Sequence, residues 1–410
     1  MQKRKILFIA EAVTLAHVCR LYSLAKALDP VDYEIYFACD QRMNKLFDFS
    51  AFRFLHINTI RSQDFLERIE TGKTLYTFEE LLAYANEDLK VIEAVKPDLV
   101  VGDMRVSLSV VTQVAKVPYW LITNAYWSPY SQNKILPVPE IRGVPLARIP
   151  YLHKLIKYAQ AFVFNFHLKA INRLCEHFKL KKFNNFLESF TFSAHTFYAD
   201  IPALSPCGDL PYNHSYLGQV KWSAAAELPD WFDTLDPGKK KIFINLGSSG
   251  PVKLLEKVIE ALKDQKHQLI ISTAGRVNLV QNDPSVFIAE YLPAEIVTKA
   301  CDLLVCNGGS PSSYLALSNG VPVLGICTNL DQLLNMRNIE SKKAGIMLRS
   351  SEYTGKKIKA IAEQLLSDQR FTAQAKHLAA EFSRFDAEAQ FKNELENFFG
   401  NVRLLESAEA

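Results

Sequence analysis

The sequence has no long hydrophobic run, no Cys-x-x-Cys pair, no internal repeat and no large excess of one charge. No stretch approaches the roughly 18 uninterrupted apolar residues of a membrane-spanning helix, so a transmembrane protein is not predicted. The seven cysteines are scattered, which indicates buried thiols in a reducing cytoplasm and neither a disulfide framework nor a cysteine metal site. A net charge of +3 is too small to indicate nucleic-acid binding.

What the sequence contains is a regular alternation of short apolar strands and helices. Its 410 residues are too many for one compact core and suit two domains. The apolar run behind the basic N-terminal tip is short and meets Glu11, which predicts a first strand and not a signal peptide. We therefore expect an α/β fold of two doubly wound, Rossmann-like domains that face each other across a cleft lined by strand carboxyl ends.

The most informative stretch covers residues 303–338. The apolar run Leu303–Cys306 has the length of a buried strand and stops at an Asn-Gly-Gly turn, residues 307–309, where a tight turn favours glycine. A helix is predicted to follow, with Ser310 as its N-cap and Pro311 at its first position. Unpaired amides and the positive end of the helix dipole suit a phosphate there. An ordinary strand, turn and helix without a ligand is the alternative.

Further motifs of the same stretch follow in order: Ser-Ser at 312–313, Asn-Gly-Val-Pro at 319–322 and Asp-Gln-x-x-Asn at 331–335. With the Asn-Gly-Gly turn, they resemble the donor signature of the UDP-glycosyltransferase-like family, inverting nucleotide-sugar-dependent enzymes of the macrolide and natural-product glycosyltransferase type. The resemblance covers nearly the whole chain and implies the GT-B architecture. That family has His where Asn307 stands and a ribose-binding Glu where Leu315 stands.

The resemblance implies a nucleotide-sugar site in the second half. Ser312 and Ser313 would face the diphosphate, and Asp331 and Gln332 would bind the sugar hydroxyls. Tyr291 would stack on the nucleobase while the backbone of the next residue reads the base edge, and core packing is the alternative for this tyrosine. The residues predicted to bind the nucleotide sugar are Gly247, Ser248, Ser249, Tyr291, Leu292, Asn307, Gly308, Gly309, Ser310, Ser312, Ser313, Asp331 and Gln332.

The first half supplies the predicted catalytic residues, His17 and Asp103. His17 lies in the loop after the first strand and Asp103 at the carboxyl end of a later strand, so both point to one sheet edge. The loop resembles the family's Gly-His loop, with Ala16 in place of Gly and Arg20 in place of a Pro. The resemblance implies that His17 is the general base for the acceptor hydroxyl and that Asp103 orients it, a task that suits an imidazole. A structural histidine and a helix-capping aspartate are the alternatives.

Three segments of the first half are predicted to border the acceptor. The aromatic residues Tyr126, Trp127 and Tyr130 indicate an apolar acceptor site. Residues 62–72 lack a clear pattern, which predicts a mobile loop over the cleft. Residues 151–182 read as a long helix or helix pair with interleaved basic residues. This segment is predicted to wall the acceptor cleft or also to rest on an anionic membrane, and a solvated face on a core helix explains its charges equally well.

The predicted organisation has four parts. We expect an N-terminal acceptor-binding domain over residues 1–220, an interdomain linker over 221–240 and a nucleotide-sugar-binding domain over 241–384. The resemblance implies that a terminal helix within 385–410 packs back on the first domain, and we expect the last ten residues to be frayed.

The predicted function is inverting, metal-independent transfer of a sugar from a UDP- or dTDP-type donor to a hydroxyl of an apolar small molecule or lipid. No cofactor is predicted, because the nucleotide sugar is a co-substrate. One alternative is a nucleotide-sugar 2-epimerase, which would need more carboxylates around the donor sugar. The other is a non-catalytic sugar- or lipid-binding protein, which the departures at Asn307 and Leu315 would allow. We expect a cytoplasmic protein, and contact with the inner face of the membrane through residues 151–182 stays open as one of the alternatives for that segment.

Overall fold

The computed structural model describes residues 3–144, 146, 149, 151–222, 226–247, 252–275, 277 and 283–408. These residues form two parallel β-sheets, each surrounded by helices. Within the described residues, no helix is long and apolar enough to cross a membrane.

The first sheet has seven strands. They are β1 (Arg4–Ala10), β2 (Tyr33–Cys39), β3 (Arg53–His56), β4 (Leu99–Asp103), β5 (Tyr119–Thr123), β6 (His195–Tyr198) and β7 (His214–Tyr216). The helices between them are α1 (Leu15–Lys26), α2 (Ser62–Thr71), α3 (Phe78–Val95), α4 (Leu108–Ala115), α5 (Leu152–His177) and α6 (Phe186–Ser189).

The second sheet has six strands. They are β8 (Lys240–Asn245), β9 (His267–Ser272), β10 (Val286–Ala289), β11 (Leu303–Cys306), β12 (Val323–Cys327) and β13 (Gly345–Arg349). The remaining helices are α7 (Val252–Leu262), α8 (Ala294–Lys299), α9 (Ser310–Ser318), α10 (Leu330–Ser341), α11 (Gly355–Ser367), α12 (Gln369–Phe382) and α13 (Ala387–Ala408).

Both sheets have the strand order of a doubly wound fold, as predicted. The orders are β3-β2-β1-β4-β5-β6-β7 and β10-β9-β8-β11-β12-β13. The order reverses between β1 and β4 in the first sheet and between β8 and β11 in the second. In open parallel sheets, ligands bind outside the carboxyl ends of the strands at such switch points. The loops after these four strands are therefore the first place to look for a site.

The strands are apolar on both faces because helices cover both. Along β1, Ile6 and Phe8 belong to one buried cluster while Leu7 and Ile9 belong to another. Alternate side chains of a strand point to opposite faces, so each sheet separates two hydrophobic cores. This packing holds the strand ends, and the loops that follow them, in fixed positions.

The terminal helix α13 returns to the first sheet. Its residues Phe391, Leu395 and Phe399 are buried in the same cluster as Phe8 of β1. The rings of Phe391 and Trp120 meet edge to face, with centroids 5.7 Å apart. The last segment of the chain thus stabilises the first domain.

Four features differ from the sequence prediction. Residues 62–71 form helix α2, which ends at Gly72 with a positive φ of 69°, so the predicted loop is wrong. The sequence predicts Phe190–Tyr198 as the last strand of the first half, but β7 follows β6 and pairs with it. Gly309 and not Ser310 is the N-cap of α9, and helix α13 continues into the tail that we expected to be frayed.

The domain boundaries at 220 and 240 stay a prediction. In the predicted linker, Trp231 packs against Phe287 of β10, with ring centroids 5.3 Å apart. Ile201 and Leu204, which precede β7, also belong to a buried cluster of the second sheet. The two halves therefore share core contacts around this region.

Candidate active site

The two switch points open onto one cavity of about 670 Å³ between the sheets. From the first half it is lined by His17, which follows β1, and by Asp103, which ends β4. From the second half it is lined by Gly247 after β8 and Asn307 after β11. The structure therefore brings the predicted catalytic pair and the predicted donor loop together.

His17 and Asp103 form a close polar pair. His17 Nδ1 lies 2.8 Å from Asp103 Oδ1, and the carboxylate is almost fully buried while the imidazole reaches the cavity. A carboxylate accepts the Nδ1 proton, so the pair fixes the tautomer in which Nε2 is the basic nitrogen. This geometry is that of a base with its orienting acid.

Arg20 is a third member of this group that the sequence prediction missed. Its Nε donates to Asp103 Oδ2 at 2.7 Å and its Nη2 to Asp103 Oδ1 at 2.9 Å, a two-point grip on one carboxylate. Nη2 also lies 3.2 Å from His17 Nδ1. Arg20 is buried on the packed face of α1 beside Leu21 and Leu24. A charged residue in an otherwise apolar helix face was the signal that could have revealed it.

The polar group continues across to the donor helix. Arg20 Nη1 donates to Asn124 Oδ1 at 2.7 Å, and Asn124 Nδ2 donates to Asp200 Oδ2 at 3.2 Å. The hydroxyl of Tyr314, on α9, donates to Asp200 Oδ1. Asp200 is fully buried, and desolvation raises the pKa of its carboxyl while these hydrogen bonds and Arg20 oppose the rise. A continuous set of side chains thus joins His17 to the helix that carries the predicted donor site.

The Asn-Gly-Gly turn shapes the second half of the cavity. Gly308 has a φ of +83°, and a side chain there would collide with Cys327 and Met336, so glycine is required. Asn307 Oδ1 accepts from the amide of Gly309 at 3.1 Å. The cavity is lined by Asn307, Gly309, Ser310, Pro311 and Ser312, at the N-terminus of α9. Helix amides of the first turn point toward this space.

The two predicted phosphate serines differ. Ser312 lines the cavity. Ser313 is fully buried, its hydroxyl donates to the carbonyl of Gly309 at 2.9 Å and it accepts from Asn335 Nδ2 at 2.8 Å. Both hydrogen bonds of the hydroxyl are made inside the domain, and Ser313 does not line the cavity. Ser248 and Ser249 lie outside the described residues.

The predicted sugar-binding residues lie in the cavity at the start of α10. Asp331 Oδ1 accepts from the indole Nε1 of Trp127 at 2.8 Å, a bond between the two halves. Gln332 Oε1 accepts from the amide and the hydroxyl of Thr328 at 2.7 and 3.0 Å. Its amide nitrogen is the group suited to a sugar hydroxyl, together with the second oxygen of Asp331. Tyr291 and Leu292 line the same cavity.

Of the three aromatic residues predicted to bind the acceptor, one reaches the cavity. Trp127 lines the cavity, whereas Tyr126 is buried outside it and Tyr130 packs on His214, with ring centroids 5.2 Å apart. These two placements correct the sequence prediction, which treated a run of aromatics as one surface. Trp127 reaches the cavity because it lies in a short 3-10 turn after β5.

Helices α2 and α5 supply an apolar wall of the cavity, whereas the sequence predicted a wall from residues 151–182 and a loop at 62–72. Phe65 and Ile69 of α2 face Val163, Phe164 and His167 of α5 among the lining residues. Burial lowers the pKa of His167, so the imidazole is neutral at neutral pH. The wall therefore carries no charge from this histidine.

A buried charged cluster lies behind the cavity. Arg105 is fully buried and pairs with Asp88 at 2.9 Å and Glu11 at 3.2 Å, and its guanidinium carbon lies 3.7 Å from the ring centroid of Tyr84. Desolvation raises the pKa of Glu11 to about 7, although Arg105 opposes the rise. This cluster holds the loop between β1 and His17 in place, because Glu11 is the first residue of that loop.

Among the described residues, no group of three or more His, Cys, Asp or Glu side chains is arranged to hold a metal ion. The cavity instead offers hydroxyls, amides and the N-terminus of α9 to a ligand.

Comparison with known proteins identifies the family. The sequence model of the "Erythromycin biosynthesis protein CIII-like, C-terminal domain" family matches residues 256–398. A "PGL/p-HBAD biosynthesis rhamnosyltransferase" of Mycobacterium bovis (strain BCG / Pasteur 1173P2) is 40% identical over 384 residues, which are 93% of this chain and 85% of the relative. A "PGL/p-HBAD biosynthesis glycosyltransferase" of Mycobacterium tuberculosis (strain ATCC 25177 / H37Ra) is 38% identical over 93% of this chain and 89% of its own.

A solved structure supports the same fold. The spinosyn rhamnosyltransferase SpnG superposes with a TM-score of 0.71 at 18% identity, covering 96% of this chain and all of its own. SpnG has also been solved with thymidine diphosphate and with spinosyn aglycone. The relatives that match nearly the whole chain are named as glycosyltransferases. They therefore support the transferase hypothesis over the epimerase and binding-protein hypotheses. The chain therefore belongs to the GT-B family of natural-product glycosyltransferases and is itself a glycosyltransferase.

Proposed function

We propose that this glycosyltransferase moves a deoxyhexose, rhamnose in the first instance, from a dTDP-type donor to a hydroxyl of an apolar lipid or small molecule, with inversion and without a catalytic metal. One observation carries the proposal: His17, paired with Asp103, opens onto the same cavity as the N-terminus of α9 and Asp331. Base, leaving-group site and sugar site are then within one enclosed space, which is what direct displacement requires.

His17 is the general base of the proposed reaction. Its Nε2 takes the proton of the acceptor hydroxyl while the acceptor oxygen forms a bond to the anomeric carbon from the face opposite the diphosphate. The bond from the anomeric carbon to the diphosphate oxygen breaks in the same step, so the configuration inverts. Asp103 stabilises the imidazolium through the hydrogen bond to Nδ1.

The leaving diphosphate is held at the start of α9. Ser310 and Ser312 offer hydroxyls and amides, Asn307 lies beside them, and the positive end of the helix dipole favours the charge that develops. These groups support metal-independent departure, because they supply positive potential and donors where a metal would otherwise act. Ser313 takes no direct part, since its hydroxyl is bound within the domain.

The relatives and the cavity together support the proposed donor and acceptor class. A curated relative is named as a rhamnosyltransferase, and SpnG has been solved with thymidine diphosphate. The wall formed by Phe65, Ile69 and Phe164 is apolar, which favours an acceptor with an alkyl or ring system beside its hydroxyl. Trp127 lines the same cavity and donates to Asp331, which places an indole beside the proposed sugar site.

The test is a transfer assay with dTDP-rhamnose and a series of alkylphenols of increasing chain length, in the presence of EDTA. We expect rhamnoside formation that survives EDTA, a KM that falls as the chain lengthens, and an anomeric configuration opposite to that of the donor by NMR. Retention of configuration, or loss of transfer in EDTA that is restored by Mg²⁺, would contradict the mechanism. Transfer only to polar, chain-free acceptors would contradict the acceptor class.

A further inference from the structure

Helix α5 has two apolar faces. Gln160, Val163, Phe164 and His167 line the cavity from one of them. On the opposite face, side chains spaced three and four residues apart are exposed to solvent: Leu155 (57%), Tyr158 (71%), Phe162 (78%) and Phe166 (50%). Residues at this spacing share one side of a helix, so they form an exposed stripe about three turns long. Tyr151, which precedes the helix as its N-cap, is also exposed.

Such a stripe is not explained by the fold of the chain itself. The fold needs only the cavity-side face and the C-terminal part of α5, where Leu168, Ile171 and Leu174 are buried in the first domain. Large aromatic and aliphatic side chains exposed in a row mark a surface that another apolar phase covers. We therefore expect a surface or molecule outside the described residues to cover the stripe.

The charge around the stripe identifies the occupant. Residues 151–182 contain seven lysines and arginines against one glutamate, a net charge of +6, whereas the whole chain carries only +3. Lys169 is exposed one helical turn beyond the stripe on the same side, and Lys179 and Lys181 are exposed after the helix ends. An exposed apolar stripe with basic residues at its end matches the interface of an anionic membrane, where acyl chains lie beneath negatively charged headgroups.

We propose that α5 docks this enzyme on an anionic phospholipid membrane, with the stripe inserted at the interface and the basic residues on the lipid headgroups. The proposal rests on the apolar acceptor of the proposed function and gives its source. The same helix touches the membrane with one face and the cavity with the other. A lipid acceptor therefore passes from the bilayer around α5 to His17 without crossing water.

Vesicle flotation tests the docking without any turnover. The full-length protein is mixed with vesicles of phosphatidylcholine alone, or with 30% phosphatidylglycerol. We expect flotation with the anionic vesicles and at least about tenfold less partition for the double variant Leu155→Ser with Phe162→Ser, because each side chain loses its apolar burial. The control is Tyr212→Ser, since Tyr212 is a fully exposed aromatic of the same domain outside the stripe.

The basic residues have their own variants. Lys179→Glu with Lys181→Glu is expected to weaken partition by about tenfold or more at low salt, and Lys356→Glu, an exposed lysine of α11, is the control. Flotation that is absent, or equal for stripe variant and control, would overturn the proposal. A concentration-dependent dimer by light scattering that the stripe variant abolishes, without flotation, would assign the stripe to a second copy of the chain and would also overturn it.

Turnover separates this proposal from the proposed function. The stripe variant is expected to glycosylate a short, soluble alkylphenol at the wild-type rate while losing about tenfold or more with a long-chain acceptor embedded in anionic vesicles. Equal loss with both acceptors would overturn the docking role. No transfer by the wild type to either acceptor, with flotation intact, would contradict the proposed function and leave the docking result standing.

Discussion

Arg20 is the residue on which the candidate base depends most directly. It donates hydrogen bonds to both carboxylate oxygens of Asp103 and lies beside His17 Nδ1. It therefore orients the carboxylate, which in turn orients the imidazole. Arg20 borders the cavity, but the proposed step gives it no contact with the reacting atoms, so it is a positioning residue. The chain has this arginine where the family that it resembles has a proline.

Replacing Arg20 tests the positioning role. Arg20→Met is expected to lower kcat by about tenfold to a hundredfold while the KM for the donor changes little, because Asp103 loses its fixed orientation. Arg20→Lys should restore part of kcat through one remaining charged bond. Steady-state kinetics and thermal unfolding are measured together. An equal loss of stability in both variants, with no recovery of kcat by lysine, would assign Arg20 a purely structural role.

Glu11 makes the stability of the protein depend on pH. Its pKa is raised from the ordinary 4.5 to about 7, chiefly by desolvation. Between these values the folded state retains a proton that the unfolded chain has released, so the free energy of unfolding falls as the pH rises through this window. Above pH 7 the full cost of a buried carboxylate is present.

Glu11→Gln removes that dependence. Relative to the wild type, the variant should gain stability between pH 5 and pH 8, by up to roughly 3 kcal/mol for a shift of this size. Urea unfolding at the two pH values measures the difference, and both proteins are expected to unfold with the same m-value. A difference between variant and wild type that is constant with pH would show that Glu11 is ionised throughout.

At the scale of the element, the adjacent serines Ser312 and Ser313 of α9 differ, because Ser312 lines the cavity and Ser313 is bonded inside the domain. Ser312→Ala is expected to raise the donor KM by about tenfold with an unchanged melting temperature, since it removes one donor to a charged phosphate. Ser313→Ala is expected to lower the free energy of unfolding by about 1–3 kcal/mol, because Asn335 loses an internal partner. The two adjacent substitutions serve as controls for each other. The reverse pattern would mean that Ser313 turns toward the donor.

The elements that sequence predicted well are those whose pattern is set locally. The sequence predicts strands over Leu303–Cys306 and Tyr119–Thr123 and a helix over Phe78–Val95, and the structure has the same bounds. Glycine, proline or a capping box closes each of these runs. Helix α2 was missed because its pattern is weak: only Phe65 of its ten residues is buried. Its position is decided by tertiary contacts, which a local pattern does not record.

The site residues also differ in how well the sequence predicted them. Some site residues could be placed at the cavity from the sequence, because their motifs follow strand ends that the topology brings together. These are His17, Asp103, Asn307 and Asp331. The internal direction of Ser313, and the roles of Arg20 and Asp200, depend on side chains from distant segments. No spacing in the sequence encodes such contacts, so only the structure could give them.

At the scale of the whole molecule, the two halves are joined by polar contacts around the cavity. Besides Trp127 to Asp331, Arg349 of β13 binds Glu140 at 2.8 Å, and Asn338 binds Ser205 at 2.9 Å. These contacts hold the donor half and the acceptor half in register, so that one displacement can span them. In the proposed function a bound sugar shares Asp331 with the indole of Trp127, so we expect sugar binding to be coupled to the contact between the halves.

The most direct test of this account is the rate of transfer by His17→Ala, measured beside its affinity for thymidine diphosphate. We predict that kcat falls by about a hundredfold to ten-thousandfold, as expected for loss of a general base, while calorimetry gives the wild-type dissociation constant for the nucleotide. A transfer rate close to that of the wild type would contradict the account, because it would mean that a group other than His17 removes the acceptor proton.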